Sequence, residues 1–370
     1  MRRALAIAIL LLAVLPGRVQ PAEIPLDGFA EGIKRWRDLH GEEDARYRPD
    51  QFEEIADNLL RYQRYSGGWR QNLDPTRILG GFEKLKVRLQ KLLPGGSFDN
   101  ENIFPQVRYL AAAYRRSGHS AYRDGSLRGL EFILAQQDPG CGGWPHTVPP
   151  RSRYESHLTI ADGVMVHALS LLREVAAGAE PFDFIEPALR QRAAEAVVRG
   201  DACLLRLQVR QNGILSGWAG QYDMQSLAPA QGRAFEPPAL DSRETVRILR
   251  YLMKLDPVSP EIAAAIEAGA GWLARVERKG WRLETFAAET QHYRFHTSHW
   301  DRRLVADPAG RLWARFYGLH DNRVLLATME GKIVEDYAEL PRERRTGYEW
   351  FGDWPRELLD SIKKGSASAP

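Results

Sequence analysis

Two cysteines in 370 residues, Cys141 and Cys203, exclude a disulfide framework. With no C-x-x-C pair, nothing suggests a zinc knot or a redox dithiol either. They stand 62 residues apart, and that spacing leaves a pair and two free thiols equally open. The sequence also lacks G-x-S-x-G, H-E-x-x-H, a P-loop and a dinucleotide-binding fingerprint. It lacks a helix-long apolar span near its start: Ala4–Leu15 is a run of 12 residues, behind Arg2 and Arg3 and ended by Pro16-Gly17. That run is too short for a bilayer and reads as a secretory signal over residues 1–22, although no clean A-x-A precedes the cut and an anchored form stays open. Removing it takes away Arg2, Arg3 and Arg18 and lowers the formal charge from +3 to zero. The bulk charge therefore gives no argument for nucleic acid or, after cleavage, for a membrane. A secreted or periplasmic protein is expected.

What is present is a soluble globular profile, 44% hydrophobic and 27% charged, with 10 tryptophans. Helical periodicity runs to about residue 277. It predicts helices over 50–65, 102–118, 120–137, 162–175, 185–208, 241–255 and 260–276. Pro105 marks a start and Gly118 an end. Strand-like alternation is confined to 322–334, a candidate hairpin around Glu330-Gly331, and residues 281–312 lose the helical pattern. One domain over 23–363 and a flexible tail over 364–370 are expected.

Helices in this chain end alike. A polar, Gly-containing turn is followed by Trp69, Trp144, Trp218 and Trp281, spaced by 75, 74 and 63 residues, with Gln63, Gln137 and Gln208 in three of the turns. Self-similarity at that period predicts stacked helical hairpins. Two helices per unit give a mainly α fold, an α/α toroid or partial barrel of hairpins with a minor β hairpin and long loops.

Three polar points lie at helix entrances or in stiff loops: Asp99-Asn100, Asp162 and Arg233. Arg233 lies in "PAQGRAFEPPAL", whose three prolines and one glycine fix the chain. Loops at one end of a helical ring converge, so two carboxylates and amide oxygens there suit a hard cation such as Ca2+. Taken alone, Asp162 reads first as a helix cap, and Arg233 first as a structural partner of Glu236. The C-terminal arginines Arg315, Arg323, Arg342, Arg344 and Arg345, set among aromatics, suit carboxylates and sugar faces. His292, His296 and His299 would share a helical face, but no helix start precedes them and no acid adjoins them.

Taken in order, "LLRYQRYSGGW", "FDNENIFPQVRYLAAAY", "CGGWPHTVP", "HLTIADGVMV", "GRAFEPPAL", "LWARFY" and "ERRTGY" resemble the pectate lyases of polysaccharide lyase family ten, over about residues 45–358. The resemblance implies an α/α toroid that cleaves polygalacturonate by β-elimination with calcium. It implies Arg233 as the Brønsted base, Asp99 and Asp162 near the calcium, and Asn100, Arg315 and Arg344 at the substrate. It implies an acidic polysaccharide as the partner; a monomer is expected. The sequence departs from the family pattern at Glu101–Pro105, where glycine or aspartate, alanine and threonines usually follow. It departs again at Arg70-Gln71, in place of a lysine, and near Met329, in place of an arginine. These departures leave open a lyase or hydrolase for another acidic polysaccharide, or a binding relative with impaired catalysis.

Elimination removes the proton α to the uronate carboxylate while the glycosidic oxygen leaves from the β carbon. Arginine ordinarily stays protonated far above neutral pH. Neighbouring cations and desolvation would have to lower Arg233, and an alkaline optimum follows.

Overall fold

The computed structural model describes residues 23–367. The signal segment at 1–22 lies outside them, as do 368–370 of the tail. Eleven helices are found among the described residues: α1 (Ala30–His40), α2 (Phe52–Tyr62), α3 (Gly81–Gln90), α4 (Phe104–Ser117), α5 (Ser120–Ala135), α6 (Val164–Ala177), α7 (Pro187–Arg206), α8 (Ser242–Leu252), α9 (Pro260–Arg275), α10 (Arg342–Gly347) and α11 (Arg356–Ala367). The seven expected helices are α2 and α4–α9. Pro105 opens α4, and Gly118 closes it in the left-handed conformation.

The helices form two rows. Helices α4, α6 and α8 neighbour one another in order, and so do α2, α5, α7 and α9; the pairs α4–α5, α6–α7 and α8–α9 join the rows. The rows are tied by one device used repeatedly. Gln63 Nε2 donates to Gly67 O of its own turn and to Gly125 O of α5, at 3.0 and 2.8 Å. Gln137 donates to Gly142 O and to Ala196 O of α7, both at 2.8 Å. Gln208 donates to Ser216 O and to Ala265 O of α9, at 2.7 and 3.0 Å. Each buried amide thus closes its turn, satisfying the turn carbonyl, and clasps the next helix by a second bond to a helical carbonyl. Gly67 and Gly142 have φ of +96° and +109°, and a Cβ would stand 2.2 and 2.5 Å from the Arg128 and Arg199 carbonyls, so only glycine passes there.

The tryptophans repeat too. The indoles of Trp69, Trp144 and Trp218 are buried and donate to Leu59, Ile133 and Leu204 carbonyls at 2.8 Å. The fourth member is Trp313, which donates to Leu273 O at 2.8 Å, and not the expected Trp281, which is exposed on a strand. The cause is a long antiparallel hairpin, β1 (Arg278–His292) and β2 (Thr297–Ala314), inserted between α9 and Trp313. His292, His296 and His299 lie on this hairpin and share no helix. The expected hairpin at 322–334 is present as Leu326–Ala327 paired with Ile333–Val334. The last helix, α11, runs into the segment expected as tail. Cys141 and Cys203 form a disulfide, which fastens the second Gly turn to α7.

Candidate active site

The N-termini of α4, α6 and α8 are entered from Asp99–Ile103, Asp162-Gly163 and Asp241. Because these helices are neighbours, three acids remote in sequence meet at one end.

The first entrance is clipped in place. Asn102 Nδ2 donates to Trp69 O at 3.1 Å, and Phe98 N donates to His146 O at 2.9 Å. Asn100, Glu101 and Ile103 adopt φ of 53°, 59° and 76°. A β-branched residue at positive φ costs on the order of 1–3 kcal/mol, which the fully buried Ile103 side chain offsets. Asp99 immediately precedes these residues, and its carboxylate is buried. Its Oδ1 accepts no hydrogen bond, although His146 Nε2 stands 3.2 Å away. Asn100 Nδ2 donates to Asn72 Oδ1 at 2.8 Å.

Asp162, with φ 54°, is half-buried. Its N–H and that of Gly163 donate to the Glu244 carboxylate of α8, both at 3.2 Å. Burial opposes its ionisation, but Arg315, Arg233, Arg247 and Arg243 outweigh it and hold the carboxyl well below the usual range. Asp162 is thus a fixed anion in a ring of arginines. It does not act as a side-chain cap.

Arg233 joins both acids. Its Nη2 stands 3.7 Å from Asp99 Oδ2, and Asp162 lies within its electrostatic field. Glu236 fixes it from behind, accepting from Arg233 N at 2.8 Å and Nη1 at 3.3 Å, and Tyr348 Oη donates to Glu236 at 2.8 Å. The neighbours of Arg233 are therefore mainly carboxylates and not the cations anticipated from sequence. Glu236, against the effect of burial and with Asp99 and Asp162, holds the guanidinium well above its ordinary value.

Arg344 is buried. It pairs with Glu343 at 2.7 and 2.6 Å and lies 4.5 Å over the Phe235 ring, with Nη1 left without a hydrogen bond. Arg315 is buried as well, held by Asp241 at 3.1 Å and packed 4.7 Å over Tyr348. The site thus unites Asp99, Asp162 and Arg233, with Arg315 behind Asp162 and Arg344 beside the Arg233 loop.

Several participants escaped the sequence. Glu236 was visible as a neighbour of Arg233 at i+3. Tyr348 and His146 lie inside the stretches "ERRTGY" and "CGGWPHTVP" but nothing in the spacing ties them to Glu236 and Asp99, and Glu244 comes from α8 with no motif of its own. His167, facing Glu101 at 4.0 Å, is pushed down to about 4 by burial together with Arg247 and Arg108.

Comparison with known proteins gives this site a family. The pectic acid lyase family model matches residues 63–359. A point mutant of a family 10 polysaccharide lyase from Cellvibrio cellulosa, in complex with trigalacturonic acid, superposes with a TM-score of 0.71 at 26% identity, covering 92% of this chain and 99% of that one. The unmutated enzyme from the same organism gives the same TM-score and identity over 92% and 98%. No curated protein matches the sequence. With a match over most of its length, the chain belongs to the pectic acid lyase family and is a polysaccharide lyase.

Proposed function

We propose that this protein is an exported, calcium-dependent pectate lyase that cleaves polygalacturonate by β-elimination, with Arg233 as base. The observation that carries this reading is the meeting of Arg233 with Asp99 at 3.7 Å, inside the field of Asp162. Its substrate class follows the galacturonate trimer bound by the Cellvibrio relative.

Asp99 and Asp162 would hold the ion. Among the described residues no group of three or more His, Cys, Asp or Glu forms a ready-made cage. A buried carboxylate oxygen without a hydrogen bond and a second fixed anion fit a hard cation that takes its other ligands from substrate and water. Bound there, calcium supplies positive charge against the uronate carboxylate and offsets two of the three carboxylates that keep Arg233 protonated. Neutral Arg233 would take the C5 proton as the C4–C5 double bond forms and the C4–O bond breaks, the leaving oxygen taking a proton from water. Asn100, Arg315 and Arg344 would serve the substrate: the unpartnered Arg344 Nη1 beside Phe235 suits a carboxylate next to a sugar face, and Arg315 adds buried charge behind Asp162.

The two helix rows support an α/α toroid, in one catalytic domain over residues 23–363. Export is supported by the N-terminal segment and by the Cys141–Cys203 disulfide, which persists in oxidising compartments.

The test is to incubate the mature protein with polygalacturonate and calcium and follow absorbance of the unsaturated product, with and without a chelator. Chelator-sensitive absorbance is expected. New reducing ends without unsaturation would make it a hydrolase, and binding without either would make it an inactive relative.

A further inference from the structure

The inserted hairpin is not needed to close the fold. In three units the indole reaches back 10, 11 and 14 residues to its carbonyl; in the fourth the same bond spans 40, with β1 and β2 between. Closure is identical, so the hairpin is an addition at the rim, and additions to one unit of a repeat gather on a binding face.

Its attachments point the same way. Arg342 Nη2 donates to Glu289 O at 2.7 Å and to Trp300 O at 3.0 Å. Arg345 grips the Asp301 carboxylate at 2.9 and 2.6 Å, and His296 Nε2 lies 2.8 Å from Thr346 Oγ1. Arg342, Arg345 and Thr346 all belong to α10, the helix that carries Arg344 and leads into Tyr348, the partner of Glu236.

Phe286 stands opposite Asp301 in register and Glu284 opposite Arg303, so Phe286, Asp301 and Arg303 share one face of the ribbon. The grip of Arg345 on Asp301 turns that face toward α10. On it Phe286 is 37% exposed, and the Arg303 guanidinium lies 5.1 Å over its ring. Glu284 accepts from both Arg282 and Arg303, and Arg282 also stands 3.7 Å from Asp307, which leaves Arg303 to share its one carboxylate. Residues 278–314 hold seven Lys or Arg against four Asp or Glu, in a chain of zero net charge after export.

We propose that the Phe286–Arg303 face of the hairpin is an outer subsite for an acidic polysaccharide, continuous with the arginine-lined site through α10. An exposed ring stacks on a sugar face, and the adjoining guanidinium takes the uronate carboxylate. The proposal rests on the pectate lyase reading above. It assigns the hairpin to substrates longer than the trimer bound by the Cellvibrio relative.

The test is the double variant Phe286→Ala, Arg303→Ala, at two exposed positions. Initial rates are measured on polygalacturonate and on trigalacturonate, and mobility is read in native gels containing polygalacturonate or a neutral glucan. The polymer-to-trimer ratio of kcat/KM should fall about five- to tenfold, the size of one or two lost surface contacts, through a raised polymer KM. Retardation in the polygalacturonate gel should weaken while the glucan gel stays without effect. An unaltered ratio with unaltered retardation would overturn the subsite. So would a changed sedimentation coefficient with unaltered retardation, which would make the hairpin a contact between copies of the chain. Absence of turnover on either substrate in the unmutated protein would instead defeat the lyase reading, with the gels still reporting on the hairpin.

Discussion

Glu236 holds Arg233 from the side away from Asp99, through the backbone N–H at 2.8 Å and the guanidinium at 3.3 Å. It is also the largest influence keeping Arg233 protonated. Removing its charge should lower the pKa of Arg233 and populate the neutral base at lower pH. The acid limb of the kcat profile of Glu236→Gln should therefore move to lower pH than in the unmutated enzyme, with a lower plateau from looser aim. A limb that stays in place would show that Arg233 does not titrate in the rate-limiting step.

His167 supplies a pH dependence of stability. Its folded value of about 4 lies below the unfolded value of roughly 6.5, so the native state favours the neutral ring. That contribution is complete above pH 6.5 and is lost as pH falls through 4. After discounting for the part of the side chain open to solvent, about 1–2 kcal/mol is at stake. Urea denaturation at pH 7.5 and pH 5 should show the unmutated protein losing more stability than His167→Gln; equal losses would remove His167 as the cause.

The glutamine clasps make a prediction about the scaffold. Gln137→Ala removes three bonds of a buried amide, those to the Gly142 and Ala196 carbonyls and that from Arg199, and leaves the Gly142 carbonyl without its donor. A cost of about 2–4 kcal/mol is expected, with Gln63→Ala and Gln208→Ala alike. Chemical denaturation checks it, with Gln191→Ala on the surface of α7 as the reference. Costs at the level of that reference would make the repeated amides incidental.

Legibility of the sequence followed burial. Helices α4–α9 bury one face each, and their periodicity and caps mark them out. Helix α1 buries no side chain and α3 exposes Phe82, Leu85 and Leu89, so their apolar residues trace no inward face and neither is visible. Strand β1 buries no residue and β2 only scattered ones before its buried end at Leu312–Ala314, which removes the in-and-out alternation that reveals a strand, and this hid Trp313 as the fourth tryptophan. In the site, Asp99, Asp162 and Arg233 were legible because each follows a stiff loop or opens a helix. The Glu236–Tyr348 contact spans 112 residues and exists only in three dimensions.

The most direct test of the central claim is the turnover of Arg233→Ala on polygalacturonate with calcium, followed by absorbance of the unsaturated product beside trigalacturonate affinity and Tm. A loss of roughly 10²–10⁴-fold in kcat, with binding kept within a few-fold and an unfolding temperature close to that of the unmutated protein, is the result expected of a missing base. Turnover within tenfold of the unmutated enzyme would contradict it and move the base elsewhere.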